Sequence, residues 1–176
     1  MKHQEMVVLL DELGGRIGVA DKADVHTPTT SLHLAFSCHV IDEEGRVLVT
    51  RRALHKRTWP GVWTNSFCGH PGPEEQMVDA VRRRGLEELG VTLTDIELVD
   101  ADFRYRATDA SGIVENEICP IYFARTTQAP APNPEEVADL TWLTPAQLRR
   151  AVEAAPWALS PWLVSSFDRI AQRMPE

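Results

Sequence analysis

The chain has 176 residues, 43% of them hydrophobic and 25% charged, with 18 basic against 26 acidic side chains and a formal net charge of −8. This is the balance of an ordinary globular protein, and it excludes a disordered chain. The acidic total speaks against a general nucleic-acid binder, and no apolar run approaches the roughly 20 residues of a membrane span.

Met6–Leu10, a glycine turn through Gly14-Gly15 and Arg16–Ala20 read as a hairpin. Within the start MKHQEMVVLLDELGG, the apolar stretch is too short and too quickly acidic for a signal peptide. Residues 21–31 read as a polar loop. Leu32–Ile41 is expected as one strand, turning at Asp42–Gly45 into a partner over Arg46–Thr50. After the basic run Arg51-Arg52…Lys56-Arg57 and the break at Trp59–Trp63, Thr64–Pro71 reads as a short strand entering a loop. The clearest helix is expected over Glu74–Leu89, with Glu74 and Glu75 at its positive end, Met77, Val78, Val81 and Leu89 facing inward, Gly85 allowing close packing and Gly90 as the stop. Leu98–Thr108 and Ile113–Arg125 read as two strands joined by a turn at Asp109–Gly112, followed by a loop or linker, Gln128–Pro134, and a strand, Val137–Leu143. Thr144-Pro145 and Ser160-Pro161 each place an N-cap before proline, opening helices to about Val152 and towards Met174. The order is that of an α+β layered domain.

Three cysteines, Cys38, Cys68 and Cys119, form no C-x-x-C pair, so neither a disulfide framework nor a cysteine zinc site is indicated. A reducing, cytoplasmic setting is expected. Cys68 lies in the polar string Thr64-Asn65-Ser66-Phe67-Cys68-Gly69-His70-Pro71, near several arginines, a setting expected to lower its pKa. Glu115 and Glu117, two apart in an extended and otherwise apolar segment, point to one face and need cations or basic partners there. With His26, His33 and His70 they would make a mixed imidazole–carboxylate set suited to Mn²⁺, Zn²⁺ or Mg²⁺. On spacing alone these residues also fit a solvated strand and surface histidines. His3, His39 and His55 carry no assignment.

Gly69, Glu75, Arg83, Glu87, Glu88, Gly90 and Val91 fall at the spacing G-x5-E-x7-R-E-U-x-E-E-x-G-U, and the segment resembles the Nudix box. Adjacent carboxylates on a helix suit Mg²⁺ escorting a diphosphate; the same residues also make i,i+4 pairs on a solvated helix. The box departs from its pattern at Arg84, where Nudix pyrophosphohydrolases carry a glutamate. A metal ligand is thereby replaced by a cation, which weakens the hydrolase reading.

Around the box the match narrows. Leu32-His33-Leu34-Ala35-Phe36, Arg51–Leu54, Trp59–Asn65, the Cys68 string, Phe103–Ala107, Glu115-Asn116-Glu117 and Ser160-Pro161-Trp162 together resemble type I isopentenyl diphosphate isomerase, from about Met6 to Asp168. The resemblance implies a single Nudix-like domain: a mixed sheet sandwiched by helices, an N-terminal hairpin and metal-binding loop over 1–33, a core over about 34–150 and a C-terminal helix over about 160–174. It implies 1,3-allylic isomerisation of isopentenyl diphosphate to dimethylallyl diphosphate through a tertiary carbocation. Cys68 and Glu117 would exchange protons with the substrate, Glu117 as the protonating group, while Tyr105 hydrogen-bonds Glu117 and Trp162 faces the cation. Lys22, Arg52, Lys56 and Arg84 would hold the diphosphate. His26, His33, His70, Glu115 and Glu117 would bind Mn²⁺, Zn²⁺ or Mg²⁺, and Glu88 with the diphosphate a second ion, Mg²⁺. The implied partner is a small diphosphate, with no nucleic acid or membrane, acting on a monomer or weak dimer. Two rivals stay open: a Nudix pyrophosphohydrolase, and a diphosphate- or metal-binding module without turnover.

Overall fold

The computed structural model describes residues 5–175, so His3 lies outside it. The N-terminal hairpin forms as expected, β1 (Met6–Leu10) against β2 (Arg16–Asp21). Its turn is held by Asp11 Oδ1, which accepts from the backbone of Leu13 and Gly15, and Gly14 takes φ +83°. The following loop contains a one-turn helix, α1 (Lys22–Val25), because the Asp21 carboxylate accepts from Ala23 N at 2.8 Å.

Three segments expected as single strands are each cut in two, and the cuts create the architecture. Leu32–Ile41 becomes β3 (His33–Leu34) and β4 (Phe36–Ile41); after β5 (Val47–Arg52), β6 (Trp63–Thr64) and β7 (Phe67–Gly69), the later pair divides likewise. One yields β8 (Thr94–Asp100) and β9 (Arg104–Thr108), the other β10 (Val114–Ile118) and β11 (Ile121–Arg125). In each case the first and second parts lie in different sheets. One sheet has the order β2-β1-β3-β10-β9; the other runs β12-β5-β4-β11-β8, with β12 over Val137–Leu143, β6 beside β5 and β7 beside β4. The parallel neighbours β3 and β10 cross together into β4 and β11, tied by Ala35 N to Ile118 O at 2.9 Å and Ser37 N to Pro120 O at 3.0 Å. Pro120, lacking an N–H, sits in the break of the second strand.

The seven-stranded sheet is covered on both faces, and its strands alternate with period two. Phe36, Cys38 and Val40 of β4 pack with Leu48 of β5 and Tyr122 of β11 towards Val81 and Leu89 of helix α2 (Met77–Leu89). Ile41, Val47, Val49, Ile121 and Phe123 face Leu148 of α3 (Pro145–Ala154) and Trp162, Leu163, Phe167 and Ile170 of α4 (Pro161–Ile170). This is the mixed α+β sandwich expected from the sequence.

Helix α2 starts three residues later than Glu74. Glu75 instead closes a loop, accepting from Gly72 N at 2.9 Å and pairing with Arg83, so Asp79 is the acid of the first turn. Its C-terminus ends at Gly90, φ +66°, as read. Gly85 is also required, because a Cβ there would stand 2.6 Å from Leu93 Cδ1. Helix α4 ends at Ile170 and continues only as a short 3-10 turn, Ala171–Arg173, short of the expected Met174. The segment expected to be a linker is not slack: Ala131 N and Asn133 N donate to Leu89 O and Glu88 O at 2.7 and 2.8 Å, satisfying free carbonyls at the end of α2. No helix among the described residues is long and apolar enough to cross a membrane.

Candidate active site

A cavity of about 1730 Å³ opens where the two sheets meet the C-terminal half of α2 and the N-terminus of α4. Every residue expected to act in catalysis, diphosphate binding or metal binding lines it except His33, which is fully buried behind the wall. The five-stranded sheet contributes Tyr105 from β9 and Glu115 and Glu117 from β10; Cys68 comes from β7, Arg84 and Glu88 from α2 and Trp162 from α4. Residues far apart in sequence are thus gathered at the seam created by the strand crossings.

Ligand atoms of His26, His33, His70 and Glu117 lie within 4.8 Å of one another. Their placement follows from register, since Glu117 is the β10 residue paired with His33 of β3 and with Tyr105 of β9. Glu115 stands beside this group, its Oε2 2.9 Å from His26 Nε2, while Thr58 Oγ1 donates to its Oε1 at 2.9 Å. His33 Nδ1 donates to Ser31 O at 2.9 Å, which leaves the Nε2 lone pair of the neutral ring turned into the cluster. That nitrogen, His70 Nδ1 and Glu115 Oε2 are buried atoms without a hydrogen-bond partner. Buried lone pairs left open around two carboxylates are what a divalent cation would satisfy, so the residues fit a metal site.

Glu117 is the electrostatic centre. Its Oε1 accepts from His70 Nε2 at 3.0 Å and its Oε2 from the Tyr105 hydroxyl at 2.8 Å; His33 Nε2 lies 3.4 Å from Oε1 without hydrogen-bond alignment. Burial alone would raise its pKa, but the imidazoles of His33 and His70 override it and hold the carboxyl well below the usual range. Burial keeps His70 low, and burial first, then Glu117, drives the Tyr105 phenol well above its usual range.

Cys68 corrects the sequence-based expectation. Its thiol is not activated by the arginines: burial pushes it up to about 12, with Glu117 adding to the rise and hydrogen bonds from Ser37 and Asn65 and the charge of Arg52 only offsetting part of it. Sγ lies 3.3 Å from Ser37 Oγ and 3.4 Å from the amide of Asn65. The same amide accepts from Trp162 Nε1 at 3.0 Å. Trp162 is further packed by Tyr105 at 5.6 Å, by the edge of Trp59 at 5.4 Å and by the Arg52 guanidinium at 5.5 Å. Helix α4 is fixed at this point because its N-cap, Ser160, bonds Thr64 Oγ1 at 2.8 Å and donates its backbone N–H to Trp63 O. Trp157 is 85% exposed and does not line this cavity.

The four expected diphosphate-binding cations reach the cavity, three of them as members of ion pairs and Arg52 bound to backbone carbonyls. Lys22 pairs with Glu5 and Lys56 with Glu136; Arg84, buried, contacts Glu88 and Glu87 and stands 3.5 Å from Glu136. Arg52 donates to Thr58 O at 2.9 Å and Trp59 O at 3.2 Å. Gly69 makes room for Arg84, whose Cγ would lie 2.8 Å from a Cβ there. Glu5 and Glu136 carry no signal in the sequence, because their partners lie in other elements. Burial raises the pKa of Glu88 despite Arg84, so a second cation beside it would relieve a penalised carboxylate. Arg82 is not part of the site; it pairs with Asp79 on the exposed helix face. The i,i+4 pairs Arg83–Glu87 and Arg84–Glu88 form on the side that lines the cavity, and Arg84 and Glu88 are buried rather than solvated.

Residues 31–163 match the NUDIX domain family. A protein of Agromyces mediolanus named isopentenyl-diphosphate Delta-isomerase is 66% identical over 160 residues, 91% of this chain and 78% of that protein. The chain belongs to the isopentenyl-diphosphate Delta-isomerase family. A relative of the same name from Brevibacterium linens is 57% identical over 172 residues, 98% of this chain and 94% of its own. Among solved structures, DR0079 from Deinococcus radiodurans superposes with a TM-score of 0.71 at 20% identity, covering 98% of this chain and all of that one. A MutT NUDIX hydrolase from Burkholderia pseudomallei gives 0.58 at 23%, covering 83% and 99%. Those two likenesses concern the fold alone. Membership of the isomerase family, on a Nudix fold, makes the chain an isomerase, and it accords with Arg84 standing where the hydrolase box carries a carboxylate.

Proposed function

We propose that this isomerase interconverts isopentenyl and dimethylallyl diphosphate by adding a proton at one end of the three-carbon allylic unit and removing one at the other. The observation that carries the reading is the meeting of Cys68, the Glu117–Tyr105 pair and Trp162 at one cavity that also presents Lys22, Arg52, Lys56 and Arg84. An alkene that is protonated becomes a tertiary cation, and the indole face of Trp162 is suited to stabilise it. Cys68 and Glu117 are the two proton-carrying groups, each acid in one direction and base in the other. Burial favours the neutral Cys68 thiol, and the imidazoles of His33 and His70 favour the Glu117 carboxylate. Tyr105 positions Glu117 through its hydroxyl.

His26, His33, His70, Glu115 and Glu117 would hold Mn²⁺, Zn²⁺ or Mg²⁺, and Glu88 would share Mg²⁺ with the diphosphate. Bound there, such ions supply a fixed positive charge that orients Glu117 and offsets the substrate's own charge. The wall supports this need: six cationic and nine carboxylate side chains line the cavity, so a bare diphosphate would enter an acidic enclosure. The hairpin, the α1 segment and the C-terminal helix all contribute to this one cavity, and we take the chain to act as a single unit.

The deciding experiment is incubation with Mg²⁺ and isopentenyl diphosphate in D₂O, followed by NMR of the alkene protons. Dimethylallyl product carrying deuterium is expected. Phosphate or monophosphate release would favour a hydrolase, and binding with neither outcome would favour a non-catalytic module.

A further inference from the structure

Asn65 lies outside the cavity wall, 1% exposed, in the short connection between β6 and β7, yet it touches two of the groups that face the substrate. Its Nδ2 donates to Phe67 O at 2.7 Å and Cys38 O at 3.1 Å. Its Oδ1 accepts from Thr64 Oγ1 at 2.8 Å and Trp162 Nε1 at 3.0 Å, and Cys68 Sγ lies 3.4 Å from it. The orientation of the amide is dictated by its partners. Two carbonyl oxygens can only accept and the indole N–H can only donate, so the NH₂ must face the strand backbone and the oxygen must face Trp162. With both amide protons committed to carbonyls, the side chain cannot rotate without leaving buried groups unpaired. One oxygen is therefore held at a fixed point between the thiol and the indole, which come from positions 68 and 162 of the chain.

We propose that Asn65 is a positioning residue of the isomerase, one that sets the indole of Trp162 and the thiol of Cys68 in register with each other. This rests on the roles given above to those two residues. The chemistry makes the register matter: the cation forms and collapses between a proton carrier and a π-face, and displacement by about 1 Å at such a centre costs on the order of a hundredfold in rate. The diphosphate is held by cations on other elements, so binding should not depend on the amide.

The test is Asn65→Ala, with Asn65→Ser as a smaller lesion should the alanine variant fold poorly, each alone and combined with Trp162→Phe. Trp162→Phe keeps an aromatic face but removes the N–H that Asn65 accepts. The expected result for the Asn65 variants is a fall in kcat of about 10- to 100-fold with KM within about twofold. Combined with Trp162→Phe, the loss should be clearly less than the product of the two single losses, because both changes break the same bond. An independent reading comes from the indole N–H signals of the five tryptophans in a ¹H–¹⁵N spectrum. The signal absent from Trp162→Phe should shift and exchange faster with solvent in Asn65→Ala, the other four staying in place. A kcat within twofold of wild type, multiplicative losses, or an unmoved Trp162 signal would each overturn the proposal. Wild-type protein without turnover would overturn the functional reading instead, and the NMR arm would still decide whether Asn65 anchors the indole.

Discussion

His39 offers a test of the fold that is independent of the cavity. It sits in the middle of β4, 1% exposed, edge-on to Phe123 with ring centroids 5.8 Å apart, and its Nδ1 has no hydrogen-bond partner. Burial lowers its pKa to about 4, against about 6.5 in the unfolded chain. Below the unfolded value, the unfolded chain takes up a proton that the folded protein refuses. Stability from this residue is thus complete above pH ~6.5 and is lost as pH falls towards 4. At about 1.4 kcal/mol per pKa unit, the loss between pH 7.5 and pH 5 comes to about 2 kcal/mol. Urea melts of wild type and His39→Leu, at half-unit pH steps and with chelator in both, isolate it, because other titrating groups are common to the pair. The stability difference between them should be flat above neutrality and move against wild type by about 2 kcal/mol by pH 5. Curves that run parallel over that range, or a wild type that gains on the variant in acid, would refute the reasoning.

Three further outcomes are expected. Tyr105→Phe removes one hydrogen bond to the ionised Glu117 and should lower kcat about 10- to 100-fold, read by the alkene NMR assay, with KM little changed. Gly90→Ala forces a Cβ to 2.8 Å from Ala131 O at a φ of +66°, which should cost about 1–2 kcal/mol and lower Tm by roughly 3–6 °C in a calorimetric scan. Mn²⁺ or Zn²⁺ at about a hundred times its Kd should raise Tm by roughly 5–10 °C after chelation, and His33→Ala should abolish the rise. A melting curve indifferent to both ions would remove the metal from the histidine cluster.

The parts of the fold legible in the sequence were those written in local chemistry. Thr144 and Gln147 form the capping box that opens α3, and Gly90 stops α2, because each answers to neighbours within four residues. The strand crossings at Ala35 and at Cys119-Pro120 were not legible, since both halves of each segment are extended and largely buried and no change of periodicity marks the change of sheet. The same limit applies to the site. The candidate ligands and cations stood out through motif strings, but the protonation of Cys68 depends on its burial in the folded chain. A string that sets arginines near a cysteine says nothing of the burial that outweighs them. Glu5 and Glu136 were silent for a similar reason: they matter only through Lys22, Lys56 and Arg84, which the fold brings to them.

The crossings have one more consequence. Cys68 rides on the seven-stranded sheet and Glu117 on the five-stranded one, so the gap between the two proton carriers is a distance between sheets rather than within one. The paired β3–β4 and β10–β11 crossings act as the spine of a caliper whose jaws are those two side chains. Its opening is set by backbone hydrogen bonds from Ala35 to Ile118, the residue after Glu117, and from Ser37, the strand partner of Cys68, to Pro120. A substrate whose exchangeable carbons are the two ends of a three-carbon unit would then be measured by the scaffold itself, and a change in how the sheets meet would recalibrate the enzyme without touching a side chain in the cavity.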